Sequence, residues 1–267
     1  MNARRRYVPL TQTCHAAEVR LWLAALRCEK GDVAGNGRRH AAVLADAQRE
    51  AADLVVFPEM SLTGSVDPRT NPERLVEISG ADVTRFVAST EHHDATVVFG
   101  IAERDGDAAY ITQCVARRGE LLGTYRKRHL GEGEDGFARG TVTRCFEHDG
   151  VAFGVAICAE SSVAELFDDA VDAGARLVVL CAAPGLDGRR TDDAAFADGL
   201  AWWETAGLAD MQRHARRRST WCAIATQAGA TVDEEFPGLA AVIAPDGRVV
   251  ARTPDWREAT LHFDIGI

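Results

Sequence analysis

Gln48 to Met60, QREAADLVVFPEM, and Asp168 to Gly185, DDAVDAGARLVVLCAAPG, share one layout: the end of a helix, a short linker, and a strand that begins Leu-Val-Val. Two similar α/β halves facing each other would produce that echo. Working outward, RLWLAAL (Arg20 to Leu26) reads as a buried strand, and residues 1–19 before it as an irregular polar arm. NGRRHAAVLADAQREAA has Ala, Val and Leu at helical spacing, with Asn36 as its N-cap. A second helix is predicted from Asp82 to His92. TVVFGIAER and AAYITQCVAR form a hairpin across the Asp105–Asp107 turn, and ELLGTYRK follows as a strand. Beyond the Gly-rich acidic loop GEGEDGFARG come the strand VAFGVAIC, the helix SVAELFDDAVDAG and the strand RLVVLCAAPG. A long helix is predicted from Leu200 to Arg218, then strands TWCAIATQAG, LAAVIAP and RVVART, with a Pro245–Gly247 turn. Strands alternating with helices imply a layered α/β protein, and no Pro-, Ser- or Gly-rich linker divides it. Residues 20–267 therefore read as one domain.

Composition limits the function classes. The chain has 267 residues, 46% hydrophobic and 26% charged, which is ordinary globular usage. Its net charge of -10 argues against a nucleic-acid binder, which needs a basic footprint on phosphates. The one basic run, MQRHARRRS, reads as a solvated helix face. The longest apolar stretches are too short to span a bilayer, and the basic start MNARRRYVPL lacks the apolar core of a signal peptide. A cytoplasmic location is the expectation. Seven cysteines occur without a CxxC pair, which suggests neither a zinc knuckle nor a disulfide framework.

Three segments deliver a reactive side chain from the end of an apolar run. LVVFPEMSLTG carries Glu59, which burial would turn into a proton acceptor and donor. GTYRKRHL carries Lys127, a positive charge able to stabilise an oxyanion or a thiolate. GVAICAESS carries Cys158 on a strand-to-helix elbow, where backbone N–H groups and a helix N-terminus would favour a thiolate. Singly, each has a bland reading: a capping glutamate, a solvated lysine, a core cysteine.

Together, Glu, Lys and Cys in that order resemble the nitrilase superfamily of carbon–nitrogen hydrolases. The resemblance runs from about Arg20 to the C-terminus. It includes FPE-x-S-L-T-G, YRKRHL, the strand followed by Cys-Ala-Glu, AAPG, and TQAG followed by FPG and PDGRVV. It implies a four-layer α-β-β-α sandwich and a Glu59–Lys127–Cys158 triad that hydrolyses a small-molecule amide or nitrile through a thioester, with no metal or organic cofactor. It also implies a homodimer, for which the Leu200 to Arg218 region is the candidate face. A second family glutamate falls on Glu134, with Glu132 as the alternative. Ala159 stands where nitrilases proper carry Trp, which favours amides over nitriles, with N-carbamoyl compounds a further possibility.

The remaining pocket candidates are Ala159, Glu160, Arg189 with Arg190 as a carboxylate clamp or, more simply, a solvent-exposed pair, and Trp202 with Trp203 as an apolar wall or, more simply, as packing of the long helix on the core. Glu160 could bind substrate, but an acid at this position more often fixes the elbow by accepting hydrogen bonds from backbone. Two competing readings remain. One is a Cys–His hydrolase using His129 or His214 as base. The other is a pseudoenzyme that binds a ligand or partner without turnover.

Overall fold

Leu54–Val56 (β2) and Leu177–Ala182 (β8), the two Leu-Val-Val strands, are each the middle strand of a parallel trio. The computed structural model describes residues 18–185, 193–254 and 257–267, and the side chains of all of these except 195, 196 and 202. In the first sheet β2 lies between Glu18–Ala25 (β1) and Thr96–Asp105 (β3). Antiparallel strands Ala108–Arg117 (β4) and Glu120–Arg126 (β5) extend it on one side, and Ala259–Gly266 (β14) pairs with β1 on the other. In the second sheet β8 lies between Val151–Ile157 (β7) and Trp221–Thr226 (β9). Cys145–His148 (β6) flanks β7, while Ala240–Ile243 (β12) and Val249–Arg252 (β13) complete the far side. Ala228–Ala230 (β10) and Glu235–Pro237 (β11) make a separate ribbon.

Alternation along the strands builds the layers. Leu54 and Val56 point between the sheets with Leu177, Val179 and Cys181. Val55 and Phe57 point the other way, onto Val33–Arg49 (α1) and Ala81–Ser89 (α2). Val178 and Leu180 meet Ala164–Asp172 (α3) and Ala209–Arg218 (α5). Burial on both faces explains why these strands read as unbroken apolar runs. The result is the α-β-β-α sandwich. Among the described residues, no helix is long and apolar enough to cross a membrane.

Several expectations change. The first strand starts at Glu18, inside the predicted arm. Asp32, not Asn36, caps α1 by accepting from the Gly35 N–H. Asn36 is buried, and its amide clamps the backbones of Glu29 and Leu62. The predicted Leu200–Arg218 helix begins earlier, as Asp193–Trp203 (α4), and a π-helical turn at Glu204–Leu208 joins it to α5.

Candidate functional site

Glu59 follows β2 in a turn folded back across β3. The Leu62 N–H donates to the Gly100 carbonyl, and Met60 takes a left-handed φ of 47°. The turn packs so close that a Cβ on Gly100 would stand 2.3 Å from the Met60 nitrogen, so only glycine fits there. Gln227 donates to the Glu59 carbonyl at 2.9 Å and to Ser65 Oγ at 3.1 Å. Lys127 is the residue after β5, its N–H held by the Ile111 carbonyl. Cys158 follows β7 directly and opens a short 3-10 turn with φ 42°. This backbone aims the side chain out of the sheet, and the residue is partly exposed.

The fold brings these ends together. Lys127 is fully buried, and its Nζ donates to Glu59 Oε1 at 2.8 Å and to Glu134 Oε1 at 2.6 Å. The second oxygen of Glu59 accepts from the Ala183 N–H at 3.0 Å, that of Glu134 from the Gly131 N–H at 2.6 Å. The Cys158 thiol lies against both Glu59 and Lys127, close enough to perturb each. Ala183 directly follows β8 in the second Leu-Val-Val segment, so the two echoed segments meet at the Glu59 carboxylate.

Burial raises the Glu59 pKa from its usual 4.5 to about 7; the Lys127 charge opposes the shift and the Glu134 charge adds to it. Burial works against the Lys127 ammonium, but the charges of Glu59, Cys158 and Glu134 outweigh it and hold the pKa above the usual lysine range. The Cys158 thiol is pushed up by burial and by the Glu59 charge, only partly offset by Lys127. This direction runs against the expectation of a thiolate favoured by a helix N-terminus. A thiol held above its usual range lies beside a carboxyl that burial also raises.

Glu160 fixes the elbow and does not make the substrate contact also considered for it. It is buried and does not line the cavity over Cys158. Its oxygens accept from the N–H groups of Ile157, Arg128 and His129 and from the Tyr125 hydroxyl. One carboxylate thus ties the stem of Cys158 to the stem of Lys127. Tyr125, Ala183 and Gln227 were not singled out in the sequence. Their roles depend on sheet neighbours far away in the chain.

The cavity measures about 730 Å³. Cys158, Ala159, Glu132, Glu134, Ala183 and Trp203 are among its lining residues. Glu134 and not Glu132 takes the second hydrogen bond of Lys127; Glu132 stands exposed at the cavity edge. Arg189 and Arg190 lie outside the described residues, as does the side chain of Trp202. His214 is turned to other partners: its Nε2 donates to the Ser161 carbonyl at 2.8 Å and its ring stacks on Phe167. Among the described residues, no histidine is one of the largest electrostatic influences on Cys158. Among the described residues, no group of three or more His, Cys, Asp or Glu side chains is placed to hold a metal ion.

Comparison with known proteins places the chain in a family. The family model described as carbon-nitrogen hydrolase matches residues 22–266. A glutamine-dependent NAD(+) synthetase from Xylella fastidiosa is 32% identical over 176 residues, 61% of this chain and 31% of that protein. The chain thus spans about a third of the length of that relative. A 2-oxoglutaramate amidase from Bacillus subtilis is 26% identical over 215 residues, covering 77% of this chain and 75% of the other. An amidase from Nesterenkonia sp. superposes with a TM-score of 0.78 at 20% identity, covering 93% of this chain and 90% of that one.

Proposed function

Since this chain belongs to the carbon–nitrogen hydrolase family, we propose that it hydrolyses a small-molecule amide through a thioester on Cys158. The observation that carries this reading is Lys127, buried and held between Glu59 and Glu134 beside the Cys158 thiol at the edge of an open cavity.

Each step has its group. Ionised Glu59 takes the thiol proton as sulfur attacks the amide carbonyl carbon. The carbonyl oxygen gains the negative charge, which Lys127 and the Ala159 N–H stabilise. Glu59 returns its proton to the amine nitrogen, the carbon–nitrogen bond breaks, and ammonia or an amine leaves. Water then gives a proton to Glu59 and its oxygen to the thioester carbon. The acid departs and the proton returns to sulfur. Glu134 positions Lys127, and Glu160 holds the elbow. Ala159 after the nucleophile favours amides over nitriles in this reading. Ammonia release from a panel of amides, nitriles and N-carbamoyl compounds is the experiment that tests it; release from none of them would favour the binding-protein reading.

The pH profile follows from Glu59. A carboxyl whose pKa is raised to about 7 loses its base form below that pH, so kcat/KM is expected to rise with pH through about 7. The Glu134 charge pushes Glu59 up, so Glu134→Gln is expected to move this acid limb to lower pH while reducing the rate. An acid limb at the ordinary 4.5 in the unaltered protein would show that burial does not raise the Glu59 carboxyl.

Trp203 and Gly207 set one wall of the cavity. The indole lies flat on Gly207, where a Cβ would stand 2.0 Å from its ring. Gly207→Ala is expected to drive the indole into the cavity and to lower kcat/KM for long-chain amides by roughly tenfold relative to acetamide. A chain-length series measures this directly; an unchanged preference would mean that this wall does not face the acyl group.

A further inference from the structure

We propose that the substrate is an amide whose far end is positively charged, such as an alkylammonium group. This rests on the amidase reading above and adds the substrate's charge to it. The cavity is bordered by Glu132, Glu134, Asp198, Asp210 and Glu234, and among its described lining residues there is no Lys, Arg or His. The five carboxylates come from the 131–140 loop, α4, α5 and the turn before β11, so they reach the opening from separate parts of the fold.

The cations that touch this set are already committed. Lys127 holds Glu134 but also Glu59. Lys30 pairs with Glu234 at 3.0 Å but also with Asp233 at 3.0 Å. Arg213 pairs with Asp210 one turn along α5. Glu132 and Asp198 are exposed and have no cationic partner among the described residues. Gly185 matters here as a bare backbone position. A Cβ there would stand 1.7 Å from Glu234 Oε1, so the absence of a side chain lets that carboxylate sit at the cavity edge. An opening lined by one sign of charge concentrates ligands of the other sign and repels its own. Among the described lining residues, a substrate carboxylate meets only carboxylates, whereas an ammonium meets partners. Arg189 and Arg190, which lie outside the described residues, make the opposite prediction if they clamp a carboxylate.

Three amides with the same four-methylene spacer decide between these: 5-aminopentanamide (cationic), hexanamide (neutral) and adipamate (anionic). Ammonia release is expected to give a kcat/KM for the cation about tenfold or more above that for the anion, with the neutral amide between. Added salt shrinks the ratio. Asp198→Asn and Glu132→Gln each lower it. Equal rates, or preference for the anion that Arg189→Ala/Arg190→Ala abolishes, would overturn the proposal while leaving the amidase reading intact. A second measurement does not depend on turnover. Labelling of Cys158 by 2-aminoethyl and 2-sulfonatoethyl methanethiosulfonate forms a disulfide and releases methanesulfinate; mass spectrometry locates the label. Relative to free cysteine, the cationic reagent is expected to react faster, and a faster anionic reagent contradicts the proposal. If none of the three amides is hydrolysed, the labelling ratio alone decides the charge preference, and the amidase reading is decided by the wider panel of amides, nitriles and N-carbamoyl compounds.

Discussion

Cys158→Ala is expected to lower amide hydrolysis by about 10⁴-fold or more while leaving the protein folded, because loss of a nucleophile removes the covalent route altogether. Cys158 is only partly buried, though it packs against both neighbouring core clusters, and alanine there removes a single sulfur atom. Glu59→Gln provides the companion result. Glutamine keeps the length and an oxygen that accepts from Lys127 or Ala183, but it cannot take the thiol proton. Its activity is expected to fall about 10³-fold, in the range of a lost general base. His129→Ala should retain most of the activity. If His129→Ala were dead and Glu59→Gln active, the Cys–His scheme would replace this one. Ammonia release alongside circular dichroism of each variant separates loss of chemistry from loss of fold.

Lys127→Met carries the largest expected cost to stability. Lys127 is the only described cation in contact with both Glu59 and Glu134, and it is fully buried. Removing it leaves two carboxylates facing each other without a countercharge. Breaking a buried pair from one side costs about 3–5 kcal/mol, or roughly 10 °C in Tm for a domain of this size. The sign of the pH dependence is specific. In the variant, folding raises the carboxyl pKa above its unfolded value, so the folded state binds more protons. Stability is then fully present at low pH and falls as pH rises through the raised value. Thermal unfolding between pH 5 and 8 should show the variant's deficit growing with pH. Lys127→Met combined with Glu134→Gln should recover part of it. A deficit that ignores pH, or no deficit, would mean that Lys127 does not neutralise these carboxylates.

What was legible in the sequence was local. The Leu-Val-Val echo read correctly as two matching halves, because β2 and β8 are buried on both faces and carry little else to confuse the pattern. The ends of apolar runs also marked Glu59, Lys127 and Cys158, since a strand edge is where a polar side chain first becomes tolerable. β14 was passed over although Leu261, Phe263 and Ile265 alternate with His262 and Asp264. β6 was also passed over, although its Asp149–Gly150 turn is a hairpin signal, because CFEH is too short to show a period. Asn36 was misread because a helix start and a buried amide clamp use the same residue type. The site's second layer was out of reach. Whether the Ala183 N–H is free for Glu59 depends on which strands pair. Glu160 is filled by donors from β5 and β7, which no spacing along the chain reveals. The acidity of the cavity was hidden for the same reason, being spread over about 100 positions from Glu132 to Glu234.

The most direct test is to mix the protein with a hydrolysed amide, quench in acid within one turnover, and sequence the peptides by mass spectrometry. The account predicts a mass gain equal to the amide minus ammonia, carried by Cys158 and absent from Cys158→Ala. An acyl group found on another residue, or undiminished ammonia release by Cys158→Ala, would contradict it.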